Sequence, residues 1–412
     1  MPRASLAVIA LATAIVALAG AGSQATGVGA AEPRPFLTGL AFPTNLAFAP
    51  DGRLFYTEKE TGHVRVVEDG VLDPVPVATF EVKGEAERGL LGIALDPAFA
   101  VRPWIYVYYS DAASGRNLLV RFREDRPGDA PEVLLTGLET ASGYHNGGDL
   151  VFGADGMLYA SLGEAHDAAR AQDPADLGGK IVRIAPDGSI PTDGPFGPGN
   201  PVWTYGHRNS FGLCVDPATG DLWETENGPD RDDELNLIGR GGNYGWPAVT
   251  GRSGDDRFVD PVAVFPDTVA VTGCAIVGGT VYAGAFKDGV LYALPTRDRA
   301  SGSMRSFASF GGGITDLATG PDGRLYVATS DAIWTVEPIG SGTAVGPTSA
   351  AGAPATDRPA APAGDDGAGG GRPWIAAIAA VVLAIGLGLR FAAGRRLRAD
   401  TQDRSDPDGV PR

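Results

Sequence analysis

Pro321-Asp322-Gly323-Arg324-Leu325-Tyr326-Val327-Ala328-Thr329 (PDGRLYVAT) decides the reading of the fold. A Pro-Asp-Gly turn, with Gly to supply a positive φ, runs straight into a strand in which small or apolar residues alternate with an aromatic. The phrase returns along the chain. Pro50-Asp51-Gly52 precedes LFYTE (54–58), and Ala154-Asp155-Gly156 precedes MLYASLG (157–163). Looser versions are Asp96-Pro97 before WIYVYYS (104–110), Asp216-Pro217 before DLWETENG (221–228) and Gly278-Gly279 before TVYAGAF (280–286). Six such units, about 45–65 residues apart, have the period of β-propeller blades, each a set of consecutive antiparallel strands. The repeat predicts an all-β, six-bladed β-propeller over residues 34–339. A pair of β-sandwiches explains the regular period less well.

Composition agrees with many short strands. Gly 60 and Pro 32 supply turns in numbers that a helical bundle does not need. The net charge of -17 argues against a nucleic-acid partner, because phosphate binding needs basic patches. Cys214 and Cys274 are too few for a disulfide framework or a Cys-rich zinc module. One bridge and two buried thiols are both compatible with the sequence.

The two ends read as an address and an anchor. Residues 1–31 have the form of a signal peptide: Arg3, then an apolar run from Ser5 to Ala19, then small residues. Residues 374–393 are long and apolar enough for one transmembrane helix, interrupted only by Arg390. Arg395, Arg396 and Arg398 follow and predict that the tail, 394–412, is cytoplasmic. Residues 340–373 are rich in Gly, Ala and Pro and read as a tether. The expectation is a single-pass protein of the cell membrane with its propeller outside the cytoplasm.

Propellers bind ligands on loops at one end of the central channel, so polar clusters beside first strands are the candidates. No HExxH, GxSxG or GxGxxG occurs. His145 lies among glycines in GYHNGG (143–148), placed to move protons, and Glu164 ends the next strand, placed to orient it. His63 and His166 read as loop histidines that hold turns. Arg208 and Asn209, in GHRNS (206–210), suit a ligand with carboxylates and carbonyl oxygens. ENGPDRDDE (226–234) and GGNYGWP (241–247) offer oxygen ligands to Ca2+, or form a solvated acidic loop; they lack EF-hand spacing.

Together these clusters resemble the soluble PQQ-dependent sugar dehydrogenases, with their glucose/sorbosone dehydrogenase domain. The matching stretches are PTNLAFAPDGRLFYTE, ERGLLGIALDP, HNGGDLVFGADGMLYASLG, GGKIVRIAPDGSIP, YGHRNSFGL and ENGPDRDDELNLIGRGGNYGWP, in family order. The resemblance implies a six-bladed propeller that oxidises the C1 hydroxyl of an aldose to a lactone. It implies PQQ and Ca2+ as cofactors. His145 matches the family's general base and Glu164 the carboxylate that orients it. Arg208, Asn209, Lys287 and Glu87 match residues that contact PQQ. Gly228 and Pro229 match the turn whose carbonyls bind the Ca2+ on PQQ, and Glu234 and Tyr244 a second Ca2+ site. An outward-facing, tethered enzyme would pass electrons to a membrane-associated acceptor. Gly313 and Thr315 depart from the pattern, standing where family members carry arginines. That departure keeps a second function class in view: a non-catalytic propeller that binds a protein or glycan at the cell surface. A Ca2+-dependent lactonase is a third, with different motifs.

Overall fold

The computed structural model describes residues 31–339 apart from 141–142, 266, 298 and 300–303. The signal peptide, tether, transmembrane helix and tail read from the sequence lie outside the described residues, save residue 31 itself. Among the described residues no helix is long and apolar enough to cross a membrane.

The repeat builds six antiparallel sheets, one for each unit. Blade 1 holds Pro43–Phe48, Leu54–Glu58, His63–Glu68 and Val71–Leu72, with Ala78–Thr79 also paired to its third strand. Blade 2 holds Leu90–Leu95, Trp104–Ser110, Asn117–Arg123 and Glu132–Leu138. Blade 3 holds Gly147–Phe152, Leu158–Leu162, Lys180–Ile184 and Val202–Tyr205. Blade 4 holds Ser210–Val215, Leu222–Glu226, Asp233–Ile238 and Ala263–Phe265. Blade 5 holds Val271–Val277, Thr280–Ala285, Val290–Pro295 and Arg305–Ser309. Blade 6 holds Ile314–Thr319, Leu325–Thr329 and Ala332–Val336, and its fourth strand is Arg34–Thr38 from the other end of the domain. The first strand of each blade touches the first strands of both neighbours, so the ring closes around a channel.

The recurring phrase has a local cause. Asp155 Oδ1 accepts from Met157 N (3.1 Å), and Asp155 Oδ2 accepts from the Tyr159 hydroxyl (3.1 Å). Asp322 does the same with Arg324 N (3.1 Å) and the Tyr326 hydroxyl (3.2 Å). The turn aspartate thus caps its own turn and anchors the strand's aromatic. The next glycine sits at positive φ, 74° at Gly156 and 77° at Gly323, where a side chain is strained. The second strands that follow are buried along their whole length in blades 1, 3, 4, 5 and 6, because a neighbouring blade covers each face.

Polar latches join the blades near the channel. Asn45 Oδ1 accepts from Ile93 N (2.7 Å), joining blade 1 to blade 2. Asp316 Oδ2 accepts from Leu46 N (2.7 Å), joining blade 6 to blade 1. Asp149 accepts from Leu213 N and, at 2.9 Å, from Asn45 Nδ2. Burial pushes the Asp149 carboxyl up to about 6, and burial with the Asp149 charge pushes Asp316 well above the usual range. A carboxyl raised in this way binds its proton more tightly in the folded state. Its stabilising contribution is complete below about pH 4 and is lost as pH rises through about 6. Asp149→Asn is therefore expected to flatten the fall in thermal midpoint as pH rises through about 6, and an unchanged slope would contradict this assignment.

The cysteines are bridged. Cys214 and Cys274 sit on the first strands of blades 4 and 5, with Cα atoms 5.6 Å apart. The bridge closes a loop with a sequence separation of 60, for which chain entropy gives about 4 kcal/mol. Replacing both cysteines by alanine should lower the thermal midpoint by several degrees. Scans with and without reductant check this on the unmodified chain.

Candidate active site

In every blade the chain enters the first strand at the same rim to which the second strand returns. The residues before first strands and after second strands therefore meet at one mouth of the channel. His145 precedes Gly147–Phe152 and Glu164 follows Leu158–Leu162; Arg208 and Asn209 precede Ser210–Val215 and Asn227 follows Leu222–Glu226. The pairings Gly147↔Leu162 and Ser210↔Glu226 hold each set level.

His145 is buried, and its Nδ1 lies 2.8 Å from Glu164 Oε1. A carboxylate accepts, so the network assigns the ring hydrogen to Nδ1 and leaves Nε2 with a lone pair. Glu164 Oε2 is buried and has no hydrogen-bond partner among the described residues. Glu87 Oε2 accepts from His145 N (2.7 Å) and from Asn209 Nδ2 (3.1 Å), tying the loops of three blades together. Glu164 N donates to Arg208 O at 3.0 Å.

The backbone here is forced. His145, Ala165 and His166 have φ of 54°, 56° and 64°, left-handed values that cost a non-glycine residue about 1–3 kcal/mol. Ala165 N donates to His145 O (3.1 Å), and a Cβ on Gly163 would stand 2.1 Å from that carbonyl. Gly163 is thus the residue that lets the two loops approach.

Arg208 is fixed from three sides. Its backbone N donates to Glu226 Oε1, its Nη1 donates to Asn227 O (2.9 Å), and its guanidinium lies 5.4 Å from the Trp246 ring centre. Its Nε is buried without a partner among the described residues. Burial draws Arg208 below the usual arginine value.

A cleft beside Arg208 is lined by Glu226, Gly228, Glu234, Tyr244 and Trp246, among others. The structure thus brings the Arg208 cluster and the acidic cluster into one site. Gly228 N donates to Asp233 Oδ1 (2.9 Å), and a Cβ on Gly228 would stand 1.9 Å from Arg231 O. Pro229 is exposed beside it. Glu234 Oε1 accepts from Gly251 N at 2.7 Å. The Tyr244 hydroxyl is fully used, donating to Leu237 O (2.7 Å) and accepting from Gly239 N (2.9 Å), so its backbone carbonyl is the oxygen left to offer. Burial pushes the carboxyls of Glu224, Glu226 and Glu234 up to about 8.

His207, Glu224 and Glu226 also lie close enough to share a metal ion. Both His207 nitrogens are nevertheless engaged, Nδ1 with Glu226 Oε2 (2.9 Å) and Nε2 with Thr204 Oγ1 (2.9 Å). Burial lowers His207 to about 4. The group therefore reads as a hydrogen-bonded support beneath Arg208.

Lys287 stands apart from these contacts, exposed on the rim of blade 5 with Nζ donating to Thr268 O at 2.9 Å. Gly313 and Thr315 serve packing. A Cβ on Gly313 would lie 2.3 Å from Phe286 O, and Thr315 Oγ1 donates to Pro43 O (2.7 Å), joining blades 6 and 1.

In the sequence His166 reads only as a loop histidine that holds a turn. Its Nε2 lies 3.0 Å from His145 Nε2. The only signal was its position two residues after Glu164, in the loop that carries the partner of His145. His63 does hold a turn, with Nδ1 3.3 Å from Glu58 Oε2.

Comparison with known proteins identifies the family. The glucose/sorbosone dehydrogenase family model matches residues 40–334. The aldose sugar dehydrogenase YliI of Escherichia coli is 32% identical over 326 residues, covering 71% of this chain and 88% of that one. The quinoprotein glucose dehydrogenase B of Acinetobacter calcoaceticus is 31% identical over 262 residues, covering 55% of this chain and 54% of that one. The PQQ-bound aldose sugar dehydrogenase of Streptomyces coelicolor superposes with a TM-score of 0.69 at 34% identity, covering 74% of this chain and 97% of that one. With the match spanning every blade and the whole rim cluster, the chain belongs to the glucose/sorbosone dehydrogenase family, as an oxidoreductase that acts on sugars.

Proposed function

We propose that the chain oxidises the C1 hydroxyl of aldose sugars to lactones, with PQQ and Ca2+ as cofactors and His145 as the base. The observation that carries this reading is the buried Glu164–His145 pair at the same rim as Arg208. The residues present fit PQQ, which carries three carboxylates and an ortho-quinone. Arg208 is a fixed cation with a free Nε, and Asn209 adds an amide held by Glu87. Lys287, just after the second strand of blade 5, supplies a further cation at the same mouth.

The donors beside Arg208 also suit Ca2+. The backbone carbonyls of Gly228, Pro229 and Tyr244 and the Glu234 carboxylate are all oxygens, as a hard cation requires. When bound, PQQ supplies the quinone that accepts the substrate hydride, and Ca2+ polarises its carbonyl. The protein handles the proton. Glu164 keeps the hydrogen of His145 on Nδ1, so Nε2 is the nitrogen that takes the hydroxyl proton.

The proposal extends to the ends of the chain. A cleaved signal peptide, a tether over 340–373 and a membrane helix over 374–393 would hold the propeller outside the cytoplasm, where a membrane-associated acceptor takes the electrons.

Chelation tests the metal. Dialysis of the full chain against EDTA is expected to abolish aldose-dependent dye reduction, and Ca2+ with PQQ should restore it. Full activity after exhaustive chelation would contradict the role given to the Gly228-Pro229 turn.

A further inference from the structure

His166 meets the base at the one nitrogen that Glu164 leaves free. The two Nε2 atoms are 3.0 Å apart, and the rings cross at 89° with centroids 4.0 Å apart. Tyr144 stacks on His166 at 5.4 Å and 13°. His145 is buried, whereas His166 is exposed. Glu164, His145 and His166 thus form a line from a buried carboxylate to water. The left-handed turn at Ala165–His166 brings the second side chain within reach of the first, and the Ala165 N to His145 O hydrogen bond (3.1 Å) pins the backbone of that turn to the base's own loop.

We propose that His166 is the proton exit of the reaction, carrying to solvent the proton that His145 removes from the substrate. The inference rests on His145 being the base of the proposed function. The balance is simple. Oxidation of the hydroxyl releases a hydride, with both electrons, to the quinone, and a proton to His145 Nε2. His145 is then protonated on both nitrogens. Its Nε2–H bond breaks as an Nε2–H bond forms on His166, and His166 gives its Nδ1 proton to water. His145 returns to the tautomer that Glu164 selects. The contact seen in the structure, with His166 Nε2–H donating to the His145 lone pair, is the state left after that transfer. The exposed ring regains the other tautomer by exchange with water and swings aside when the next hydroxyl takes its place.

The charges around the ring favour this role. Burial and His145 lower His166 below the ordinary histidine range, with Arg208 acting in the same sense and Glu164 opposing them. A neutral His166 at neutral pH is an acceptor for a proton arriving on His145.

The test uses the full chain in detergent, loaded with PQQ and Ca2+. His166→Ala is expected to lower kcat at least tenfold with KM within about threefold. The first turnover, read as loss of quinone absorbance in a stopped-flow mix with aldose, should keep its rate. Added imidazole should restore steady-state turnover of His166→Ala and leave His145→Ala inactive. A steady-state kcat and pH profile equal to wild type would overturn the relay. A second arm needs no activity: 15N spectra of the histidine rings in cofactor-free protein. His166→Ala should shift the His145 Nε2 resonance, and an unmoved resonance would also overturn the proposal. Absent turnover in the wild type brings down the dehydrogenase reading and the relay with it, whereas wild-type turnover with an unaffected His166→Ala brings down the relay alone.

Discussion

His145→Ala is expected to lower kcat for aldose oxidation by about 10²–10⁴-fold while leaving PQQ affinity within about threefold. The first half follows from the network. Glu164 Oε1 holds Nδ1 at 2.8 Å, and only Nε2 of that ring can accept a proton. His166 lies beyond Nε2, 3.0 Å away, and takes the proton only after His145 has removed it. Glu164 lies behind the imidazole, and Glu87 Oε2 is committed to His145 N and Asn209 Nδ2. The second half follows from the distribution of cations, since the carboxylates of PQQ would be met by Arg208 and Lys287. The fold should survive, because the loop is held through the His145 backbone: its N donates to Glu87 and its O accepts from Ala165. Stopped-flow absorbance separates the steps. Loss of PQQ binding along with turnover would show that His145 builds the site rather than moving the proton.

Arg208→Ala is expected to weaken PQQ binding by about 10–150-fold. A hydrogen bond to a charged group contributes about 1.5–3 kcal/mol, and each 1.4 kcal/mol is tenfold. The variant also loses the contacts to Asn227 O and the Trp246 ring, so the side of the cleft it lines becomes less ordered. Thermal stability should change little, because Glu226 grips the backbone N of residue 208 and not its side chain. Arg208→Lys keeps the charge but not the planar fork, and should recover only part of the affinity. A PQQ titration followed by absorbance measures both variants. Wild-type affinity in Arg208→Ala would place the cofactor elsewhere on the propeller.

The fold was legible because its decisive contacts are local. The Asp155–Tyr159 and Asp322–Tyr326 bonds span four residues, so each unit writes its own turn and strand into adjacent positions. What is distant in sequence was not written there. The pairing of Arg34–Thr38 with Ala332–Val336, which closes the ring, joins the two ends of the domain. The latch from Asp316 to Leu46 N spans 270 positions, and the Cys214–Cys274 bridge became decidable only once blades 4 and 5 were adjacent.

The site shows the same division. His145, Glu164, Arg208 and Asn209 announced themselves through glycine-rich motifs at strand mouths, and the structure gathers them on one rim. Gly228, Glu234 and Tyr244 join Arg208 in one cleft, with Pro229 exposed at its side. Lys287 sits at the same mouth on blade 5, bonded to Thr268 O and not to them. His166 was missed because its place depends on a left-handed turn at Ala165 and His166, neither of which is a glycine that would mark it.

The most direct test of the account is a PQQ titration of the purified full chain in detergent with Ca2+ present, followed by addition of glucose or another aldose. The account predicts saturable binding at micromolar PQQ, then loss of the quinone absorbance when sugar is added. No binding at micromolar PQQ would contradict it. Gly313 and Thr315 would then mark a lost cofactor site, and the propeller would be one that binds a protein or glycan.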